Sequence, residues 1–207
     1  MKKYQAYLLD FDGTLFDTLE SLYDPYFRAF SSLNIKVDRK DISNAIHFAL
    51  VQTFEQYKIT EQSDKEKFFR VFHETFNSEE NIKKIKIFAD VTSFLEKSKK
   101  EGKELGIVSG NSEAHIRLVL KEFALEKYFA FVVGGSPDKR PKPYPDPILE
   151  ALSKLPKISK EEVVYIGDSL QDPECAIASG IDGVLLDRKS EYNDYKGLKI
   201  ENLLSLL

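Results

Sequence analysis

Five short stretches, Tyr7 to Phe11, Leu105 to Val108, Phe131 to Val133, Val163 to Ile166 and Val184 to Leu186, constrain the fold of this 207-residue chain more than any other feature. Each is an almost unbroken run of aliphatic, β-branched or aromatic residues, the pattern of strands buried on both faces of a parallel sheet. Helix signals fill the gaps between the last four. Asn111 stands as a cap before SEAHIRLVLKEF, Asp146 and Pro147 as cap and first-turn proline before ILEALSKL, and DPECAIASG closes on Gly180. Strand therefore alternates with helix, and the expected class is α/β, a doubly wound parallel sheet.

The first gap departs from this rhythm. Nearly a hundred residues separate the first two strands, where a crossover needs only about a dozen, so a further unit is inserted there. The expected partition is a core of residues 1–14 and 89–207 with a small helical domain over 15–88. Helices are expected at about 19–33, 41–58 and 63–77, the last opened by Ser63 and Glu66 in capping-box spacing. A further helix at about 89–102 returns to the sheet. Ten of the fifteen phenylalanines fall between Phe16 and Phe88. Phe68, Phe69, Phe72 and Phe76 recur at helical spacing, which reads as the core of a small bundle.

Composition limits the partners. With 30 Lys and Arg against 34 Asp and Glu, the net charge is -4, and no basic field exists to hold nucleic acid or an anionic membrane. Small molecules are the expected partners of a monomer or homodimer. Asp10 and Asp12 interrupt the first apolar run before it could act as a secretory signal, and no stretch approaches the roughly 18–20 apolar residues of a membrane span. Cys175 is the only cysteine and sits among Ala176, Ile177 and Ala178. No intrachain disulfide can form, and the expected location is cytoplasmic.

In a parallel α/β sheet, ligands lie beyond the carboxyl ends of the strands. Asp10 and Asp12 end the first expected strand, Ser109 ends the second, Lys142 follows the third, and Asp168 and Asp172 follow the fourth. A turn beginning at Gly13 could rotate Asp12 away from Asp10 and give the two carboxylates separate tasks. Asp10 can attack phosphorus while Asp12 passes a proton to the leaving oxygen and later takes one from water. Packing carboxylates this closely calls for a cation, and with Asp168 they make a hard-metal site natural, Mg²⁺ being the expected ion. Gly13, Gly110 and Gly167 are expected to serve turns that bring backbone close to phosphate.

These residues fall in four motifs, DFDGTLFDT, IVSGN, KPYPDP and GDSLQD. In this order, each after an expected strand, they resemble the haloacid dehalogenase superfamily and, within it, the phosphoglycolate phosphatase-like hydrolases. The resemblance implies a Rossmann-like core with a helical cap between the first two motifs. It implies that Asp10 becomes an aspartyl phosphate, and that Asp12 is the general acid and base whose main-chain carbonyl also touches the metal. Asp168 would be a Mg²⁺ ligand, with Asp172 orienting the lysine or the metal's waters. Thr14 and Ser109 would donate to the phosphoryl group and Lys142 would balance its charge, in a pocket that also includes Gly13, Gly110 and Asn111. The activity implied is Mg²⁺-dependent hydrolysis of a small phosphorylated metabolite.

Two departures limit the transfer. The inserted segment carries NAIHFAL where many caps of the family present a glycine and a polar or basic group, leaving Arg28 and His47 as candidate recognisers. Pro173 follows the fourth motif, compatible with a first helical turn. A sugar-phosphate mutase, a pyrophosphate or nucleotide phosphatase and, from another class, a non-catalytic binding module remain open on sequence alone.

Overall fold

The structure is a computed structural model that describes residues 3–47, 50–136 and 138–207, with the side chains of all of these except 47, 50 and 51. Its principal sheet has six strands: β1 (Ala6–Leu9), β4 (Glu104–Val108), β5 (Phe131–Val133), β6 (Val163–Gly167), β7 (Asp182–Leu186) and β8 (Lys199–Ile200). The spatial order is β5-β4-β1-β6-β7-β8, and every pairing is parallel. A separate two-stranded ribbon joins β2 (Phe16–Asp17) and β3 (Lys86–Ile87).

The α/β expectation is met by six parallel strands flanked by helices. α6 (Val91–Lys100) leads into β4, and α7 (Glu113–Glu122), α8 (Asp146–Ser153) and α9 (Gln171–Ser179) connect the next strands. Alternation on β1 divides its side chains between two layers. Ala6 and Leu8 pack with Val108, Val133, Val163 and Tyr165 on one side, where Ile148 and Ala151 of α8 and Cys175 and Ala176 of α9 close the core. Tyr7 points the other way and meets Phe94 of α6 edge-on at 5.3 Å. Cys175 is buried, as its small neighbours suggested.

The chain divides into two compact units, Met1–Asp17 with Ile87–Leu207, and Thr18–Lys86. The second contains α1 (Leu19–Ser32), α2 (Arg39–His47), α3 (Leu50–Gln56), α4 (Gln62–Phe76) and α5 (Glu79–Ile82). The helix expected over 41–58 corresponds to α2 and α3, between which residues 48 and 49 lie outside the described residues. Tyr26, Phe30, Phe54 and Phe68 form its core with Phe69 and Phe72 against them. Phe68 meets Phe30 at 5.1 Å and Phe54 at 5.4 Å, both edge-on, the favoured packing of aromatic quadrupoles. The aromatic stripe is a hydrophobic core.

Several expected helix caps shift by a residue or two. Ser112, not Asn111, caps α7, accepting from His115 N. Pro145 and Glu61 precede α8 and α4, so Asp146 lies inside the first turn and no Ser63 cap forms. Leu170 precedes α9, which places Asp172 in its first turn.

Candidate active site

Asp10 stands where β1 leaves the sheet. Its backbone N–H makes a last ladder bond to Ile166 O at 2.8 Å. The strand therefore stops at Leu9, short of the expected Phe11, because the chain then turns. Gly13 adopts φ +67°, and its N–H donates to Phe16 O at 2.8 Å. A side chain at this glycine would also have no room, since a Cβ would lie 1.9 Å from Asp168 Oδ2. Gly13 therefore gives the turn a left-handed residue and lets the first motif pack against the fourth.

Asp10, Lys142, Asp168 and Asp172 converge. Lys142 Nζ lies 3.0 Å from Asp10 Oδ2 and 2.6 Å from Asp172 Oδ1, and Asp172 is fully buried. Its second oxygen accepts from the backbone N–H and hydroxyl of Ser169 at 2.9 and 2.8 Å. Gly167 makes room for it, because a Cβ there would come within 2.1 Å of Asp172 Cγ. Asp10, Asp168 and Asp172 each offer a carboxylate oxygen within 4.8 Å of the others. At that separation and an effective dielectric of about 20, each ionised pair repels by roughly 3–4 kcal/mol.

The electrostatics reflect this crowding. Asp10 is pushed up to about 8, chiefly by burial, with Lys142 opposing and Asp172 and Asp12 adding to the rise. Asp168 is raised to about 6 by burial and then by Asp172. At Lys142 burial works against the charge, but Asp10 and Asp172 outweigh it and hold the ammonium above the usual lysine range. Three carboxylates thus face one ammonium. An all-oxygen, carboxylate-rich set short of positive charge fits a hard divalent cation such as Mg²⁺.

Asp12 points elsewhere. Its Oδ2 accepts from Asn111 Nδ2 at 2.6 Å, and Asn111 N–H donates to the Ser109 hydroxyl at 3.2 Å. Ser109 is buried just beyond β4, its N–H bound to Val133 O at 3.0 Å. Thr14 is fully buried, with its hydroxyl unpartnered. Gly110 lies where the chain bends after β4, with neither a positive φ nor a neighbour that a Cβ would strike. Of the candidate recognisers, Arg28 is exposed on α1 and pairs with Asp24 at 3.1 Å, while the side chain of His47 lies outside the described residues.

Two participants, Tyr165 and Arg188, escaped the sequence reading, and a third, Asn111, does more than was expected of it. Tyr165, fully buried on β6, places its hydroxyl beside Lys142 and Asp172. Asn111, expected as a cap and as part of the phosphate pocket, spends its amide on Asp12. Arg188 Nη2 donates to Thr14 O at 2.8 Å while its guanidinium pairs with Asp90 at 3.0 Å. The phenolic oxygen in VVYIG was the one available signal, since a hydroxyl in an otherwise apolar buried strand must find a partner.

The Haloacid dehalogenase-like hydrolase family model matches residues 7–186. The chain belongs to this hydrolase family. Among relatives, it is 28% identical over 189 residues to a phosphoglycolate phosphatase of Photorhabdus laumondii, covering 87% of this chain and 79% of that protein. It is 29% identical over 172 residues to the pyrophosphatase PpaX of Bacillus velezensis, covering 83% and 77%. A Clostridium difficile crystal structure superposes with a TM-score of 0.86 at 25% identity over the whole of both chains. A haloacid dehalogenase superfamily hydrolase of subfamily IA from Geobacter sulfurreducens shares the fold, with a TM-score of 0.75 at 23% identity, covering 97% of this chain and 93% of that one.

Gly13→Ala is expected to disturb this family site through Asp168. A left-handed residue with a Cβ costs about 1–2 kcal/mol, and the 1.9 Å approach forces the Asp168 carboxylate aside. The variant should melt lower. An unchanged melting curve would refute the packing role.

Proposed function

We propose that the protein is a Mg²⁺-dependent phosphatase that hydrolyses a small phosphorylated metabolite through an aspartyl phosphate on Asp10. The observation that carries this reading is the meeting of buried Asp10 with Lys142, Asp168 and Asp172 at the carboxyl edge of one sheet. Asp10 attacks phosphorus, the ester P–O bond breaks, and Asp12 protonates the departing oxygen. Asp12 then takes a proton from water as it attacks the aspartyl phosphate, releasing phosphate and restoring Asp10. Lys142 balances the phosphoryl charge, and Ser109 and Thr14 donate to its oxygens. Asn111 acts through Asp12, whose carboxylate it holds.

Asp10, Asp168 and Asp172 would hold Mg²⁺, the latter two directly or through its waters, with the main-chain carbonyl of Asp12. Bound there, the ion would offset the charge of the carboxylates and of the phosphoryl oxygens. We assign the unit Thr18–Lys86 the part of a substrate-selecting cap, supported by its insertion between the first two motifs. A buried free Cys175 suits a reducing cytoplasm, and no described helix is long and apolar enough to cross a membrane. Similarity to PpaX favours pyrophosphate as a second candidate substrate.

The reading is tested by phosphate release from phosphoglycolate, sugar phosphates, nucleotides and pyrophosphate with Mg²⁺ and with chelator. Release is expected from at least one substrate, to vanish with chelator and to return with Mg²⁺. Asp168→Ala should raise the Mg²⁺ concentration for half-maximal rate by about tenfold or more, the scale of lost metal-site contacts. Full activity in metal-free buffer would overturn the metal assignment.

A further inference from the structure

Tyr165 occupies a position that the proposed chemistry leaves unused. It lies between Val164 and Ile166 on β6, all three fully buried, where an unpaired hydroxyl is costly. The hydroxyl has three neighbours: Val108 O at 2.8 Å, Asp172 Oδ1 at 3.1 Å and Lys142 Nζ at 3.2 Å. A phenol carries one proton and can also accept, whereas an ammonium carries three protons and accepts nothing. The phenolic proton has two acceptors within reach, Val108 O and Asp172 Oδ1, and with either of them a lone pair is left for Lys142. Lys142 thus has an acceptor for each proton: Asp172, Asp10 and the neutral oxygen of Tyr165.

One oxygen atom consequently ties together three segments distant in sequence. Val108 ends β4 immediately before Ser109, Lys142 comes from the loop before α8, and Asp172 lies in the first turn of α9. Without the hydroxyl, the lysine's third N–H has no acceptor there, and the ammonium is drawn toward Asp172, already its closer partner at 2.6 Å. We propose that the Tyr165 hydroxyl is a positioning residue for catalysis, fixing the Lys142 ammonium between Asp10 and Asp172 and at a set spacing from Ser109. It rests on the reading of Lys142 as the group that balances phosphoryl charge.

The test is a double-mutant cycle of Tyr165→Phe and Lys142→Met in saturating Mg²⁺. Rates are normalised to the folded fraction from near-ultraviolet circular dichroism at the assay temperature. Phenylalanine keeps the buried ring and deletes only the oxygen. Tyr165→Phe alone should lower kcat by about 10- to 100-fold, the loss of one hydrogen bond to a charged group, with KM changed less than about threefold. Added to Lys142→Met, it should lower kcat by no more than about twofold, because the group it positions is gone. A normalised kcat within about twofold of the parent for Tyr165→Phe, beside an inactive Lys142→Met, would overturn the positioning role and leave the phosphatase reading standing. Independent, multiplying losses would do the same. Near-parental activity of Lys142→Met would instead overturn the role assigned to the lysine, and this inference with it.

Discussion

Asp10→Asn is expected to abolish phosphate release, lowering kcat by about 10⁴-fold or more, the scale on which a nucleophile's loss is felt. The amide is almost isosteric but cannot form the acyl phosphate. Acid-quenched enzyme should accordingly carry no phosphoryl group, where the parent carries one. The fold should survive. Burial pushes Asp10 up to about 8, above the roughly 4 of an unfolded aspartate. In chelator the parent therefore loses stability from this group as pH rises from about 4 through about 8. The asparagine removes that penalty, so at pH 8 in chelator the variant should melt no lower than the parent. Near-normal turnover of purified Asp10→Asn would end the covalent mechanism.

Lys142→Met should affect both rate and stability. The lysine side chain is 14% exposed, between an Asp10 side chain at 9% and an Asp172 side chain at 0%. Its removal leaves two buried carboxylates without their shared cation, and breaking a buried pair from one side costs about 3–5 kcal/mol. Calorimetry in chelator should show a substantially lower melting temperature. Added Mg²⁺ should restore part of this, because the carboxylate cluster is then the remaining place for positive charge. Activity should stay low even when the protein is folded, since the phosphoryl charge has lost its fixed counterion. A variant that melts like the parent would show that the three groups are not electrostatically interdependent.

The strands and acids were legible in the sequence because both rest on strong local physics. A doubly buried strand tolerates few polar residues, so Asp10 and Asp168 stand out at its end. The caps were harder to place. Asn111 and Ser112 are adjacent and both can cap a helix, and the choice is made by Asp12, 99 residues away, which takes the Asn111 amide. Tyr165 was hidden for a related reason: its hydroxyl partner Val108 lies 57 residues away, and a tyrosine in a strand ordinarily signals packing alone. The strand β8, two residues long, is too short to leave a periodic trace. Interactions set by neighbouring residues were readable, and those set by tertiary proximity were not.

The ribbon of Phe16–Asp17 with Lys86–Ile87 has a thermodynamic consequence. It brings the two ends of the intervening chain side by side, so for the sheet unit the insertion is a closed loop whose entropic cost grows only logarithmically with length. Each doubling adds about 0.6 kcal/mol, less than a single buried methylene contributes. The sheet could therefore carry a shorter or longer insertion at nearly constant stability, provided that the graft begins and ends at the ribbon. If that segment selects the substrate as proposed, specificity could then be exchanged by transplanting it, with the acids, Ser109 and Lys142 left in the sheet unit.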